Sequence, residues 1–106
     1  MTKNLCAVIV SYNGNERLAE LVKVLCNESD EIMIVDNGSN QETASRLESL
    51  EKICEKVSIR YLNQNTGVAY ALNTGLQYAI EHGFKWMITF DQDTVPVDGA
   101  VTGLLA

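Results

Sequence analysis

The sequence is short of several things, and each shortage removes a class of protein. It has one proline, Pro96, in 106 residues, so no proline-rich linker or extended polyproline tract is present. Hydrophobic residues make up 46% and charged residues 21%, a balance that belongs to a chain with a core and not to a disordered tail. Basic side chains number eight against fourteen acids, a net charge of -6. They are scattered from Lys3 to Lys85, whereas a nucleic-acid surface needs clustered cations. No nucleic-acid partner is expected. The single histidine, His82, leaves no ligand set for a zinc site, and the cysteines lack paired spacing. Cys6, Cys26 and Cys54 each fall on the apolar side of a segment. They are expected as small buried hydrophobes in a reducing cytoplasm. The apolar run Leu5 to Val10 is far below signal or membrane length, so no membrane span is expected. A longer parent working at the inner face of a membrane stays compatible with this.

What remains is a strand-helix alternation in one domain, residues 1–106. Leu5 to Val10 is β-branched and free of charge, as a strand covered on both faces requires. Leu18, Leu21, Val22 and Leu25 then recur at helical spacing. Ile32 to Val35 is a second buried run, after which Ser39 and Glu42 have the spacing of a capping box. The helix they open carries Ala44, Leu47, Leu50 and Cys54 on its apolar side. Val57, Ile59 and Tyr61 alternate with Ser58 and Arg60, which predicts a half-exposed strand. The third helix is expected to turn Ala69, Leu72, Leu76, Ala79 and Ile80 inward and to end at Gly83 in a left-handed conformation. Trp86 to Phe90 is the fourth strand, and Val97 to Ala106 reads as the start of another helix. The pattern predicts an α/β domain: an open parallel sheet of about four strands between helical layers, joined by right-handed crossovers.

Ligands of such sheets bind outside the carboxyl ends of the strands. There the sequence places Ser11-Tyr12-Asn13, Asp36-Asn37-Gly38-Ser39, Asn63 to Gly67 and Asp91-Gln92-Asp93. Each cluster alone is compatible with ordinary turn chemistry. Asp91 and Asp93 stand two residues apart in an extended segment, so both can approach one hard cation. Mg²⁺ or Mn²⁺ suits a pair of carboxylates, because such ions complete their shell with water and phosphate oxygens. Asp36 can accept a hydrogen bond from a pyrimidine ring N–H or a ribose hydroxyl, or else cap the following helix. Tyr12 offers a base a flat face. Neither a G-x-x-x-x-G-K-[ST] loop nor a G-x-G-x-x-G turn occurs. A metal is then the natural means of holding a diphosphate on an acidic domain.

At these residues the chain resembles the inverting glycosyltransferases of family two, which have the GT-A fold with a Rossmann-like nucleotide-binding half. The resemblance rests on Val8-Ile9-Val10-Ser11-Tyr12-Asn13, Ile34-Val35-Asp36-Asn37-Gly38-Ser39, Asn65 through Gly75, and Phe90-Asp91-Gln92-Asp93, in the family's order. It implies that Ser11, Tyr12 and Asn13 lie at the base and ribose, and that Asp36 binds the pyrimidine. It implies that Asn65, Gly67 and Asn73 shape the loop and helix start beside the nucleotide. Asp91 would face the ribose side and share a divalent cation with Asp93, the main metal ligand. Asp-Gln-Asp-Thr, with Asn-Thr-Gly-Val-Ala before it, looks most like the bacterial rhamnosyltransferase branch. Its members use dTDP-L-rhamnose to build cell-surface polysaccharide.

The expected function is therefore the donor-binding portion of a metal-dependent sugar transferase taking a dTDP- or UDP-sugar, with a glycan or lipid-linked acceptor in the full-length protein. Enzymes of the family are more than twice this length, so the acceptor site and catalytic base are expected beyond Ala106. The stop there, with Leu104 and Leu105 in mid-pattern, reads as an interruption of a longer chain. On its own the piece is expected not to transfer sugar. Two other readings stay open at this point: a non-catalytic nucleotide- or magnesium-binding module, and a receiver- or flavodoxin-like domain. The second would want an acidic cluster on the first strand, where this chain has Ser11-Tyr12-Asn13.

Overall fold

The computed structural model describes residues 4–14 and 17–92. Seven elements alternate as expected: β1 (Leu5–Ser11), α1 (Arg17–Glu28), β2 (Glu31–Asp36), α2 (Gln41–Ile53), β3 (Val57–Tyr61), α3 (Val68–Glu81) and β4 (Trp86–Asp91). The strands form one parallel sheet in the order β3-β2-β1-β4. The chain steps from β1 through β2 to β3 in one direction. Then α3 carries it back across the sheet to lay β4 on the free side of β1. The expected C-terminal helix, Val97 to Ala106, lies outside the described residues.

Burial explains why β1 is interior. Leu5, Ala7 and Ile9 face Leu18, Leu21 and Leu25 of α1 and Leu47 and Leu50 of α2 in one buried cluster. Cys6 and Val8 face the other way, with Met33 and Val35 of β2 and Ala71 and Ala79 of α3. A charged residue at any of these positions would be stranded in a dry layer. Both faces of β1 are thus covered, α1 and α2 on one side and α3 on the other. β4 pairs only with β1 among the described residues, and its Trp86 and Met87 are exposed. Ile88 and Phe90 alone of its apolar run pack against the α1–α2 side.

Three expectations need correction. First, α3 does not turn its large apolar residues inward. Its buried residues are Ala71, Gly75 and Ala79, while Ala69 and Ile80 are exposed and Leu72 and Leu76 are half-buried. The helix lies so close to the sheet that a Cβ on Gly75 would fall 2.4 Å from Val8 Cγ1 and 3.3 Å from Val35 Cγ2. Only a small-residue ridge fits that gap.

Second, Cys26 and Cys54 are joined in a disulfide, and Cys6 alone is free and buried. The reason is tertiary: α1 and α2 lie side by side on one face and finish at the same end. The last turn of α1 and the C-cap of α2 are thereby brought to a Cα separation of 6.1 Å. Lys56 ties the same corner by donating to the carbonyls of Cys26 (2.7 Å) and Ser29 (3.0 Å).

Third, Ser39 does not cap α2. The cap is Asn40, whose side chain accepts from Thr43 N at 2.9 Å. Ser39 is engaged elsewhere, with Asp36.

Two outcomes follow from this packing. Gly75→Ala should destabilise the protein by about 1–3 kcal/mol, as overpacking of a well-filled core does; urea denaturation measures it, and a neutral effect would show that α3 can lift freely. The second outcome concerns alkali. Burial, then the nearby Glu31 carboxylate, pushes the Cys6 thiol from 9.0 up to about 11. Burial, then a hydrogen bond with Glu31 and that carboxylate's charge, push the Tyr78 hydroxyl from 10.0 up to about 12. Both groups are raised in the fold, so their contribution to stability is complete below pH 9. It is lost as pH climbs from 9 through 11 and 12. Melting temperature followed between pH 8 and 12 should fall over that window, and less steeply in Cys6→Ala.

Candidate functional site

Because the strands are all parallel, their carboxyl ends open on one edge. The register sets Ser11 beside Asp36, Asp36 beside Tyr61, and Val10 beside Asp91. Side chains alternate along each strand. Ser11 and Asp36 therefore continue the α1–α2 face, while Val10, Thr89 and Asp91 continue the α3 face.

Amide side chains stitch the loops beyond these ends. Asn13, at φ 47°, receives a bond from Asn40 N at 2.8 Å, and its own N–H donates to Ser39 Oγ at 2.8 Å. Asn37 Oδ1 accepts from both the backbone N and the hydroxyl of Thr66, each at 2.9 Å. Its Nδ2 donates to Asn65 Oδ1 at 3.4 Å, an oxygen that also accepts from Gly67 N at 3.0 Å. Gln92 pairs both ways with the Tyr12 peptide, accepting from its N at 2.9 Å and donating to its O at 3.1 Å. The first loop is thus fixed to the second and the fourth, and the second to the third.

A hollow of about 450 Å³ opens on the α3 face between the ends of β1 and β4. Its floor is the sheet at Val10, Thr89 and Phe90, the last with its side chain packed on the α1–α2 side, and α3 supplies Val68 and Leu72 as a wall. Polar groups at the rim are Tyr12, Asn37, Asn65, Asp91 and Gln92, with the backbone of Gly67 beside them. The place is where the strand sequence reverses direction, the switch point at which open α/β sheets bind ligands. A second hollow, about 410 Å³ between α1 and α2, is lined mostly by aliphatic residues with Thr43, Arg46 and Ser49. Among the described residues no carboxylate lines it, and it stands on the face away from the α3 hollow.

Of the residues named from sequence, Tyr12, Asn65, Gly67 and Asp91 come together around the first hollow. Ser11 is fully buried on the opposite face. Asn13 is exposed in the loop that meets Ser39 and Asn40. Asp36 is 2% exposed, and its two oxygens accept from the Ser39 hydroxyl and from Ser39 N (3.2 Å). Its side chain braces the second loop and does not line the hollow. Asn73 sits on the far flank of α3, in a shallow depression with Arg60, Tyr70 and Gln77. Asp93 lies outside the described residues. Two rim residues were missed from sequence, Asn37 and Gln92. Each directly follows an acid at a strand end, and an amide there can donate and accept at once, which is the one local signal that could have singled them out.

Among the described residues, the carboxylate available to a divalent cation at the hollow is that of Asp91, exposed at the rim. No group of three or more His, Cys, Asp or Glu able to hold a metal occurs among the described residues. An oxygen donor with open neighbouring space fits Mg²⁺ or Mn²⁺, which keep waters and phosphate oxygens in their shells. It does not fit a closed structural site.

The family model described as Glycosyl transferase family 2 matches residues 6–106. Among curated proteins, the dTDP-rhamnosyl transferase RfbF of Shigella flexneri is 36% identical over 95 residues, covering 89% of this chain and 31% of that protein. The chain therefore spans less than a third of this relative's length. Among solved structures, S. aureus TarS 1-349 superposes with a TM-score of 0.78 at 18% identity, over 96% of this chain and 31% of that one. The mannosyltransferase PcManGT of Pyrobaculum calidifontis, solved with GDP-Man and Mn²⁺, gives a TM-score of 0.78 at 19% identity, over 99% of this chain and 32% of that one. At these identities the two structures establish the GT-A fold. No helix among the described residues is long and apolar enough to cross a membrane.

The stitching makes a prediction. Asn37→Ala leaves Thr66 N–H and hydroxyl without their acceptor, which should cost about 1–3 kcal/mol if the loop stays closed. Hydrogen exchange at Thr66 and Gly67 should quicken while that of β1 holds. Unchanged protection at Thr66 would show that the loop is held by something else.

Proposed function

As the chain belongs to glycosyl transferase family 2, we propose that its strand-end hollow holds the nucleoside diphosphate part of a sugar donor. The observation that carries this reading is the composition of the hollow: an aromatic face, neutral amides and one carboxylate around an apolar floor at the switch point. The Tyr12 ring takes the base against its face. Asn65 presents its amide to the base and ribose, held in place by the buried Asn37 behind it, and Asp91 accepts from a ribose hydroxyl. Asp36 acts from behind, holding Ser39 and through it Asn13. Asp93, with Asp91, would hold Mg²⁺ or Mn²⁺. The cation, when bound, neutralises the diphosphate and assists its departure as a Lewis acid.

This chain's own residues bind and orient the donor. In the whole protein the acceptor hydroxyl attacks the anomeric carbon from the face opposite the leaving group, which inverts that centre. The attack needs a general base within hydrogen-bond reach of the hydroxyl, and no residue of the rim is assigned to it. RfbF is far longer than the stretch matched here, and the reading gives acceptor and base to such additional chain. Likeness to RfbF, named a dTDP-rhamnosyl transferase, favours a dTDP-rhamnose donor, and a cell-surface polysaccharide is the proposed product. The Mn²⁺ in the mannosyltransferase complex favours a divalent cation.

NMR titration with dTDP or UDP and Mg²⁺ tests the reading. Amide shifts should concentrate at Tyr12, Asn37, Asn65 and Asp91, and Mn²⁺ should broaden signals nearest Asp91. Asp91→Asn should weaken nucleotide binding by roughly 10-fold, the loss expected of one charged hydrogen bond, and Asp93→Ala should abolish the cation dependence. Shifts confined to the α1–α2 hollow, or metal effects with no nucleotide effect at Tyr12, would overturn the reading.

A further inference from the structure

The last β1–β4 register pair is Val10 with Asp91. One residue further, the ladder is continued by a side chain. Gln92 accepts from Tyr12 N at 2.9 Å and donates to Tyr12 O at 3.1 Å, so its amide does what a neighbouring strand's peptide would do. Among the described residues Tyr12 makes no other hydrogen bond. The residue is 43% exposed at the rim of the hollow. An exposed aromatic beyond a strand end would otherwise sample several orientations, each lost on binding a ligand.

The seat for that amide is made by a glycine. A Cβ at Gly14 would stand 2.9 Å from Gln92 Oε1. A side chain at position 14 would therefore crowd the carboxamide where it meets Tyr12, and the carboxamide would have to shift. Gly14 needs no left-handed backbone, for its φ is outside that region. The space it leaves is what the corner uses.

We infer that Gln92 is a positioning residue of the nucleotide site. It locks the Tyr12 platform to the Asp91 carboxylate, so that the surface for the base and the acid for the ribose and diphosphate side are presented as one rigid corner. The inference rests on the proposed use of the hollow and deepens it. Gln92 itself need not touch the nucleotide. Its two bonds within the protein both go to Tyr12, and its effect on a ligand passes through that residue and through Asp91, its neighbour in the chain.

Three variants and two readouts test this on isotope-labelled protein. Gln92→Ala should move the Tyr12 amide resonance and the Asp91 carboxyl signal in the absence of ligand, with melting temperature held within a few degrees. It should weaken dTDP or UDP binding about 10-fold through the lost preorganisation. Gly14→Ala, which leaves Gln92 in the sequence but crowds its seat, should give the same pair of shifts. Gln92→Glu keeps the acceptor for Tyr12 N but sets an oxygen against Tyr12 O at neutral pH. Its Tyr12 amide should be displaced at pH 7 and return toward the wild-type position as pH falls through the glutamate range, about 4–5. A role in folding alone would give no such recovery. Tyr12 and Asp91 signals that stay put in both Gln92→Ala and Gly14→Ala would overturn the inference. So would unchanged nucleotide affinity in Gln92→Ala when the wild type binds. If the wild type binds no nucleotide, the proposed function fails, while the tie between Gln92, Tyr12 and Asp91 is still decided by the ligand-free signals.

Discussion

The structure depends on one constraint, the interior place of β1 in a sheet whose strands all run the same way. A strand with both faces dry must be apolar throughout, and Leu5 to Ile9 meet that demand. With β2 on one side and β4 on the other, the chain has to reverse its progress across β1. The crossover helices that accomplish this cannot cover the strand ends as well, and a gap opens between the ends of β1 and β4. The hollow follows from topology, before any polar residue is considered.

The polar residues then settle what the gap can hold. Carboxamides do the joining: Asn13, accepting from Asn40 N, between the first two loops, Asn37 and Asn65 between the second and third, Gln92 between the fourth and the first. A carboxamide donates and accepts without charge. In a chain of net charge -6, stitching with further carboxylates would set like charges around Asp91 and repel a phosphorylated ligand. Asp36 is the buried exception, and it is turned away from the hollow with both oxygens occupied by Ser39. The disulfide, by contrast, ties α1 to α2 at their far ends, remote from all these loops.

Much of this was legible in the sequence where a pattern has one solution. Leu18, Leu21, Val22 and Leu25 are the buried residues of α1 as spaced, and Gly83 has the left-handed φ, 75°, its position demanded. α3 was misread because it is apolar on two flanks. Periodicity weighs Leu72 and Ile80 above Ala71 and Gly75, whereas the short distance to Val8 selects the smaller set. That change of phase also carries Asn73 away from the hollow. Ser39 and Asn40 are equally good caps on paper, and only the claim of Asp36 on Ser39 decides between them. The link between Cys26 and Cys54 spans 28 residues and depends on two helices lying side by side, which no local pattern encodes. Tyr12, Asn65, Gly67 and Asp91 were legible because strand ends converge in any parallel sheet. The bonds of Asn37 and Gln92 were not, since they depend on which loops become neighbours.

The closeness of α3 to the sheet couples the core to the hollow. Val68 and Leu72, which wall the hollow, belong to the same helix as Gly75, and Gly75 rests on Val8. The width of the gap is therefore gauged from inside, by the thickness of one aliphatic side chain beneath the helix. A larger or smaller residue at position 8, invisible from the surface, would re-space the wall opposite Tyr12. The selectivity of such a site can drift through its hydrophobic interior while every residue at its rim stays the same.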